Sequence, residues 1–246
     1  MKDPRGPGPE DPSGSRPSGG LAVSGRLDRV GRVSRAEHAS AFLSAVDLTL
    51  DLASRPQVRD AWSQESACAG MTVGGLTHHL LKQAGNTVLG LQAPPDAAEP
   101  IALQEHYARA AWVEAAPEDE ANVSIREGDN AGAQVGPDVV LELAGEWAHD
   151  LPGLLAAPRE PDTIFIPWQG WSLTTEDFLT TRMMELVVHG DDLAASVGLD
   201  TPTYADNVIG PVVGLLTGVA LRRHGQTAVI RGLSRPQRAP ESISAF

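Results

Sequence analysis

A chain of 246 residues has room for one sizeable domain, or for a domain with a tail. Its 19 Lys and Arg against 32 Asp and Glu give a formal net charge of −13, with no clustered basic stripe. Nucleic acid and anionic membrane are therefore poor partners, because binding either requires neutralised phosphates. Cys68 is the single cysteine, which rules out an intrachain disulfide and a Cys-rich zinc knuckle. Any metal must be held by His and carboxylate side chains.

Residues 1–25, "MKDPRGPGPEDPSGSRPSGGLAVSG", are mostly Pro, Gly, Ser and charge, with too little apolar surface to offset the entropy of ordering. We read 1–30 as a disordered tail, 31–200 as a helical bundle, and 201–246 as a C-terminal helical extension and tail. Ser34 with Glu37 fits a capping box, and Phe42, Leu43, Val46, Leu50 and Leu52 follow near helical spacing. A second helix starts at Thr72, with Val73, Leu76, Leu80 and Val88 as its apolar face; Gly74 and Gly75 weaken its start. "IALQEHYARAAWVEAA" reads as a further helix, and "GPDVVLELAGEWAHDLPGLLAA" as another that opens after Gly136 and Pro137. The Pro-bounded apolar pieces of "PREPDTIFIPWQGWSL" predict a strand-like or looping crossover. Thr174 with Asp177 then caps a helix that Gly198 stops, and "YADNVIGPVVGLLTGVALRRHG" is a last helix, kinked at Pro211. Its apolar run over 208–221 is too short and broken for a membrane span, and the N-terminus lacks a signal-peptide core. The expected product is a mainly α, cytoplasmic bundle with one long irregular crossover.

Within "RMMELVVHGDD", Glu185 and His189 stand four apart and share a helix face. That spacing alone is common. A catalytic zinc site needs a third ligand from a facing helix, and "GLTHHLL" offers His78 and His79, between which periodicity does not choose. Glu146 and His149 have the spacing of a di-iron bundle, but that site needs two such motifs and the chain has one. His149, His38, His106 and His224 read as partly exposed helix residues.

"ACAGMTVGGLTHHL" (67–80), followed by "RMMELVVHGDDLA" (182–194), resembles the mycothiol-dependent maleylpyruvate isomerase N-terminal domain of the DinB-like metalloenzymes. Cys68, Gly70, Thr72, Val73, Leu76, His79 and Leu80 match the first family motif. Arg182, Glu185, His189, Gly190, Asp192 and Leu193 match the second. Ala69 and Met71 stand where the family usually has Pro and Trp, and Gly74 and Gly75 replace more polar residues. The resemblance implies a four-helix bundle with long crossovers, here with extra C-terminal helices. It implies His79, Glu185 and His189 as ligands of a divalent metal, most simply zinc, with a fourth position open to water or thiol.

Maleylpyruvate isomerases proper carry a further α/β domain, whereas about forty residues follow the motif helix here. The expected activity is therefore a thiol S-transferase that activates mycothiol, or a related thiol, as a metal-bound thiolate. It would add or exchange that thiol on an electrophilic small molecule, as in secondary metabolism. A mycothiol-dependent cis–trans isomerase and a non-catalytic DinB-like binding module are the alternatives. Arg182 is expected to orient Glu185 or bind an anion, and Asp192 to fix a His tautomer. Trp168 and Trp171 are expected to line a substrate pocket, and Cys68 to pack. The expected partners are the electrophile and the thiol, with a homodimer allowed. High Ala, Gly, Pro and Arg content fits a GC-rich actinobacterial source, where mycothiol is available.

Overall fold

The computed structural model describes residues 34–96, 98–116 and 118–246, so the expected tail over 1–30 lies outside the described residues. These described residues form one compact unit. Four helices, α1 (Arg35–Ala53), α3 (Val73–Gln92), α7 (Pro137–Ala156) and α8 (Thr175–Val197), close a ring in which α1 packs on α8 and α7, and α3 packs on the same two. This is the mainly α, DinB-like bundle that the sequence predicts. The short helix α2 (Pro56–Asp60) lies between α1 and α3; α4 (Leu103–Arg109), α5 (Ala111–Glu114) and α6 (Glu120–Gly132) lie between α3 and α7. Strands β1 (Thr163–Ile166) and β2 (Trp171–Thr174) form an antiparallel hairpin, and α9 (Asp206–Ser234) packs on α8 and α1. No helix among the described residues is long and apolar enough to cross a membrane.

Local chemistry sets the helix starts. Ser34 and Glu37 make the full capping box, Thr72 Oγ1 accepts from Gly75 N–H, and Thr174 Oγ1 accepts from Asp177 N–H. The apolar faces meet in one core, where Phe42, Leu76, Leu80, Phe178, Leu179, Met183 and Leu186 are at most 1% exposed. Each such side chain contributes about 1.5–3 kcal/mol by leaving water.

Three features differ from the expected pattern. The helix read over "IALQEHYARAAWVEAA" breaks at Ala110, whose ψ of 113° is extended. Tyr107 and Trp112, one on each side of the break, both turn to Phe246, with ring centroids 6.0 and 5.1 Å away. The last helix runs through Pro211, and its interruption falls at Gly225, where φ is 78° and a helical turn is impossible. His38 and His106 are buried, 5% and 4% exposed, because each turns toward the core rather than outward.

Arg159 closes the C-terminal end of α3. Its guanidinium donates to the carbonyls of Leu91 (2.9 Å), Gly90 (3.2 Å) and Ala93 (2.9 Å), and its Nε donates to Thr163 O (2.6 Å). These are the carbonyls that a helix end leaves without partners, tied here to β1. Arg159→Ala leaves them unpaired in a half-buried setting, and urea denaturation should register a loss of about 2 kcal/mol.

Candidate metal centre

Helices α3 and α8 bring His79, Glu185 and His189 together. His79 Nε2 lies 3.4 Å from Glu185 Oε2, and His189 Nε2 lies 3.3 Å from the same oxygen. The two imidazoles stand edge to face with centroids 4.8 Å apart. The three ligand atoms all fall within 4.8 Å of one another. Their side chains keep 13%, 14% and 20% of their surface exposed, so the point of convergence is shielded without being sealed.

The other ring nitrogen of each histidine is held by a carboxylate. His189 Nδ1 is 2.9 Å from Asp192 Oδ2, one helical turn on, and His79 Nδ1 is 2.7 Å from Asp129 Oδ2 on α6. A carboxylate at Nδ1 accepts a hydrogen bond from Nδ1–H, and in the neutral ring this leaves Nε2 with a free lone pair. With both rings in that form two lone pairs face one carboxylate oxygen, and in the metal-free protein a proton held on His189 relieves the contact. A divalent cation resolves that contact, and the donor set of two imidazoles and one carboxylate is a known zinc set. Charge points the same way. Glu185, Asp129 and Asp192 bring three negative charges, Lys82 on Asp129 brings one positive, and a divalent ion cancels the remainder. The residues present therefore fit a divalent metal.

Burial alone would raise the Glu185 carboxyl and lower the His189 imidazole. The hydrogen bonds and charges of His189 and His79 hold Glu185 well below the usual carboxylate range. Hydrogen bonds involving Asp192, Cys68 and Glu185 hold His189 well above the usual imidazole range. Asp129 is fully buried, yet its hydrogen bonds to His78, His79 and Lys82 keep it ionised, well below its ordinary value.

Periodicity left His78 and His79 open, and the structure separates their roles. His78 Nδ1 bonds Asp129 Oδ1 at 2.9 Å, while its ring packs against Gly132 on α6; only His79 faces Glu185. Arg182 does not touch the Glu185 carboxylate. Its Nη1 donates to Gln83 Oε1 (2.6 Å), its Nε to Thr181 Oγ1 (3.0 Å), and it lies 5.2 Å over the Phe178 ring. Gln83 in turn donates to His79 O at 2.8 Å, so Arg182 braces α8 against the turn of α3 that carries His79. Cys68 sits half-buried beside this group, its Sγ 4.0 Å from Asp192 Oδ2. Trp168 lies in the hairpin turn, 62% exposed, with no hydrogen bond or ring contact to any described residue. Trp171 Nε1 donates to His106 Nδ1 at 3.1 Å.

Sequence reasoning missed Asp129. The predicted helices do not include α6 (Glu120–Gly132), and only the His79 ring nitrogen left to be satisfied could have signalled a partner. The Gly74–Gly75 pair also acquires a reason. A Cβ on Gly74 would stand 2.6 Å from the Trp62 ring, and one on Gly75 would overlap the Asn130 side chain. Asn130 accepts from Thr72 N–H (2.9 Å) and donates to Gly70 O (2.9 Å), so these glycines admit the groups that fix the entry to α3.

Residues 42–194 match the mycothiol maleylpyruvate isomerase N-terminal domain. The match spans more than half of the chain, and the protein belongs to that family. No curated protein and no solved structure matches it.

Two outcomes are expected. Plasma mass spectrometry of gently purified protein should find about one divalent ion per chain, and His189→Ala should lose it. The second concerns His106, which burial, and then the Arg182 charge, push down to about 4. In the unfolded chain this imidazole titrates near 6.5, so between pH 6.5 and 4 the unfolded state binds the extra proton and stability falls as the pH falls. Urea denaturation at pH 7 and pH 5 should show the wild type losing about 2 kcal/mol more than His106→Gln.

Proposed function

We propose that this protein is a metal-dependent thiol S-transferase, which uses mycothiol or a related low-molecular-weight thiol on an electrophilic small molecule. The observation that carries this reading is the convergence of His79 Nε2, His189 Nε2 and Glu185 Oε2, with a carboxylate behind each imidazole. Zinc held by these three residues would supply the positive charge that favours thiolate over thiol, whose free pKa is about 8.5.

The chain's own residues do the rest. Asp129 and Asp192 keep both imidazoles in the Nδ1–H form and aim their Nε2 atoms. Arg182, through Gln83, holds the two ligand-bearing helices in register. The group is partly exposed, and a thiol and an acceptor held there would replace a bimolecular encounter by a held geometry. The thiolate sulfur forms a bond to the electrophilic carbon. In exchange, the electron pair of the broken bond leaves with the departing thiol; in addition, it passes into the acceptor, which takes up the proton that the incoming thiol released.

The family relation supports the cis–trans isomerase as the second reading. The test is to incubate zinc-loaded protein with mycothiol and a panel of electrophiles, and to follow free thiol and adduct by mass spectrometry. Thiol-dependent adduct formation that drops to the background rate in His189→Ala is the expected result. Turnover that continues with every thiol removed ends the proposal, and isomerised product without net thiol consumption selects the alternative.

A further inference from the structure

The charge of this chain is unevenly spread. Residues 207–240 hold five arginines, Arg222, Arg223, Arg231, Arg235 and Arg238, and no Asp or Glu. The rest of the chain carries −18, the total of −13 less the +5 of this segment. The expectation of no clustered basic stripe, drawn from totals, is corrected by this segment. The fold then gathers three of its charges. Helix α9 breaks at Gly225 and resumes to Ser234, and the 3-10 turn Pro236–Arg238 follows it. Arg231, Arg235 and Arg238 thereby line one groove of about 280 Å³, with Gln226 and Thr227 also at its wall. Surface arginines elsewhere pair with carboxylates: Arg35 with Asp162, Arg55 with Asp51, Arg59 with Asp138 and Arg109 with Glu105. Among the described residues, the three arginines of the groove have no carboxylate partner.

We propose that this groove binds the phosphate or diphosphate group of a soluble small molecule. Three guanidiniums in one groove repel one another, and a neighbouring carboxylate would relieve that repulsion. The sequence supplies none over 207–240, so the positive charge stays available to an anion from outside. Each guanidinium presents a planar fork of N–H donors that matches phosphate oxygens, and Gln226 and Thr227 add an amide and a hydroxyl. Arg235 spends one N–H on Ser234 O (2.7 Å), which holds its side chain against the end of the helix. Charge selects among anions. A single carboxylate meets one of three positive charges, whereas a phosphate group carries about −1.5 to −2 at pH 7, and a diphosphate more. Size selects as well, since the groove is close to the lower limit of small-molecule pockets, roughly 300 Å³. An extended polyanion, whether nucleic acid or anionic bilayer, would also meet the −18 of the remaining chain and be repelled. None of these residues belongs to the metal group, so the site stands independently of the transfer reaction.

Isothermal titration calorimetry of the full chain with pyrophosphate, at low ionic strength and with acetate as the control anion, reads the site directly. One saturable site per chain is expected for pyrophosphate and none for acetate. Arg231→Gln and Arg235→Gln should each weaken binding by about 10-fold, as the loss of one charge-assisted partner does, and the double variant should abolish it. Arg55→Gln removes the same charge away from the groove and should change affinity by less than about 2-fold. His189→Ala should bind pyrophosphate like the wild type. All three groove arginines are exposed, so their variants keep the fold. A wild type without saturable binding overturns the proposal, and so does equal weakening by Arg55→Gln, which would reduce the effect to bulk charge. Binding lost in His189→Ala but kept in the arginine double variant places the anion at the metal centre and overturns it too. Co-sedimentation of the wild type with phosphatidylglycerol vesicles, lost in the double variant, overturns the assignment to a soluble ligand.

Discussion

The constraint on which the rest depends is the carboxylate of Glu185, largely withdrawn from water between two imidazoles. A buried charge is tolerated only when it is paired and hydrogen-bonded, because the interior cannot replace the hydration it loses. Glu185 meets that demand by placing one oxygen 3.4 Å from His79 Nε2 and 3.3 Å from His189 Nε2. One histidine comes from its own helix and one from the facing helix, so the site exists only while α3 and α8 stay in register. The core beneath it, with Leu76 and Leu80 from α3 against Leu179, Met183 and Leu186 from α8, supplies that register. Arg182 and Gln83 reinforce it with a buried polar bridge.

The support extends outward in layers of decreasing hydrophobicity. Bundle helices bury large apolar faces and fix the two ligand-bearing segments, whereas α6 buries one aspartate. A metal held as proposed would have one histidine backed from its own helix, where Asp192 is one turn from His189, and the other backed from a separate helix, where Asp129 meets His79. The departures from the family motif are absorbed in the same region. Met71, in place of the usual Trp, is 3% exposed in the core, while Trp62 from the preceding segment covers Gly74 and donates to Ala133 O at 3.1 Å. An aromatic ring thus lies over the start of α3.

What was legible in the sequence follows from the range of the interactions involved. The helices carrying Phe42, Leu76 and Val88 announce themselves by apolar period, and Ser34, Thr72 and Thr174 announce their starts, because helix period and capping are both encoded within a few residues. The hairpin over 163–174 was readable as a crossover between prolines, though not in its register. Pro211 drew attention as a breaker, yet the helix absorbs it and breaks at Gly225, since only the latter takes up a left-handed φ. His38 and His106 were read as partly exposed because burial of a polar ring depends on which elements fold over it, and no window of sequence contains that information.

By itself the sequence determined a mainly α bundle and the pairing of Glu185 with His189, since four residues on a helix bring two side chains to one face whatever surrounds them. Its resemblance to a family added His79 and left His78 aside. Asp192 was anticipated as the tautomer-fixing partner of a histidine; only the tertiary structure decided Asp129 as the partner of His79, the bracing contacts of Arg182, and the place of α6. Asp129 lies some fifty residues from His79 in the chain, on a helix with few apolar residues, and it reaches the site through hydrogen bonds and ion pairs. Apolar burial leaves a periodic trace in sequence because it recruits a whole helix face. A single buried carboxylate recruits only the donors that the fold brings to it, and leaves no such trace.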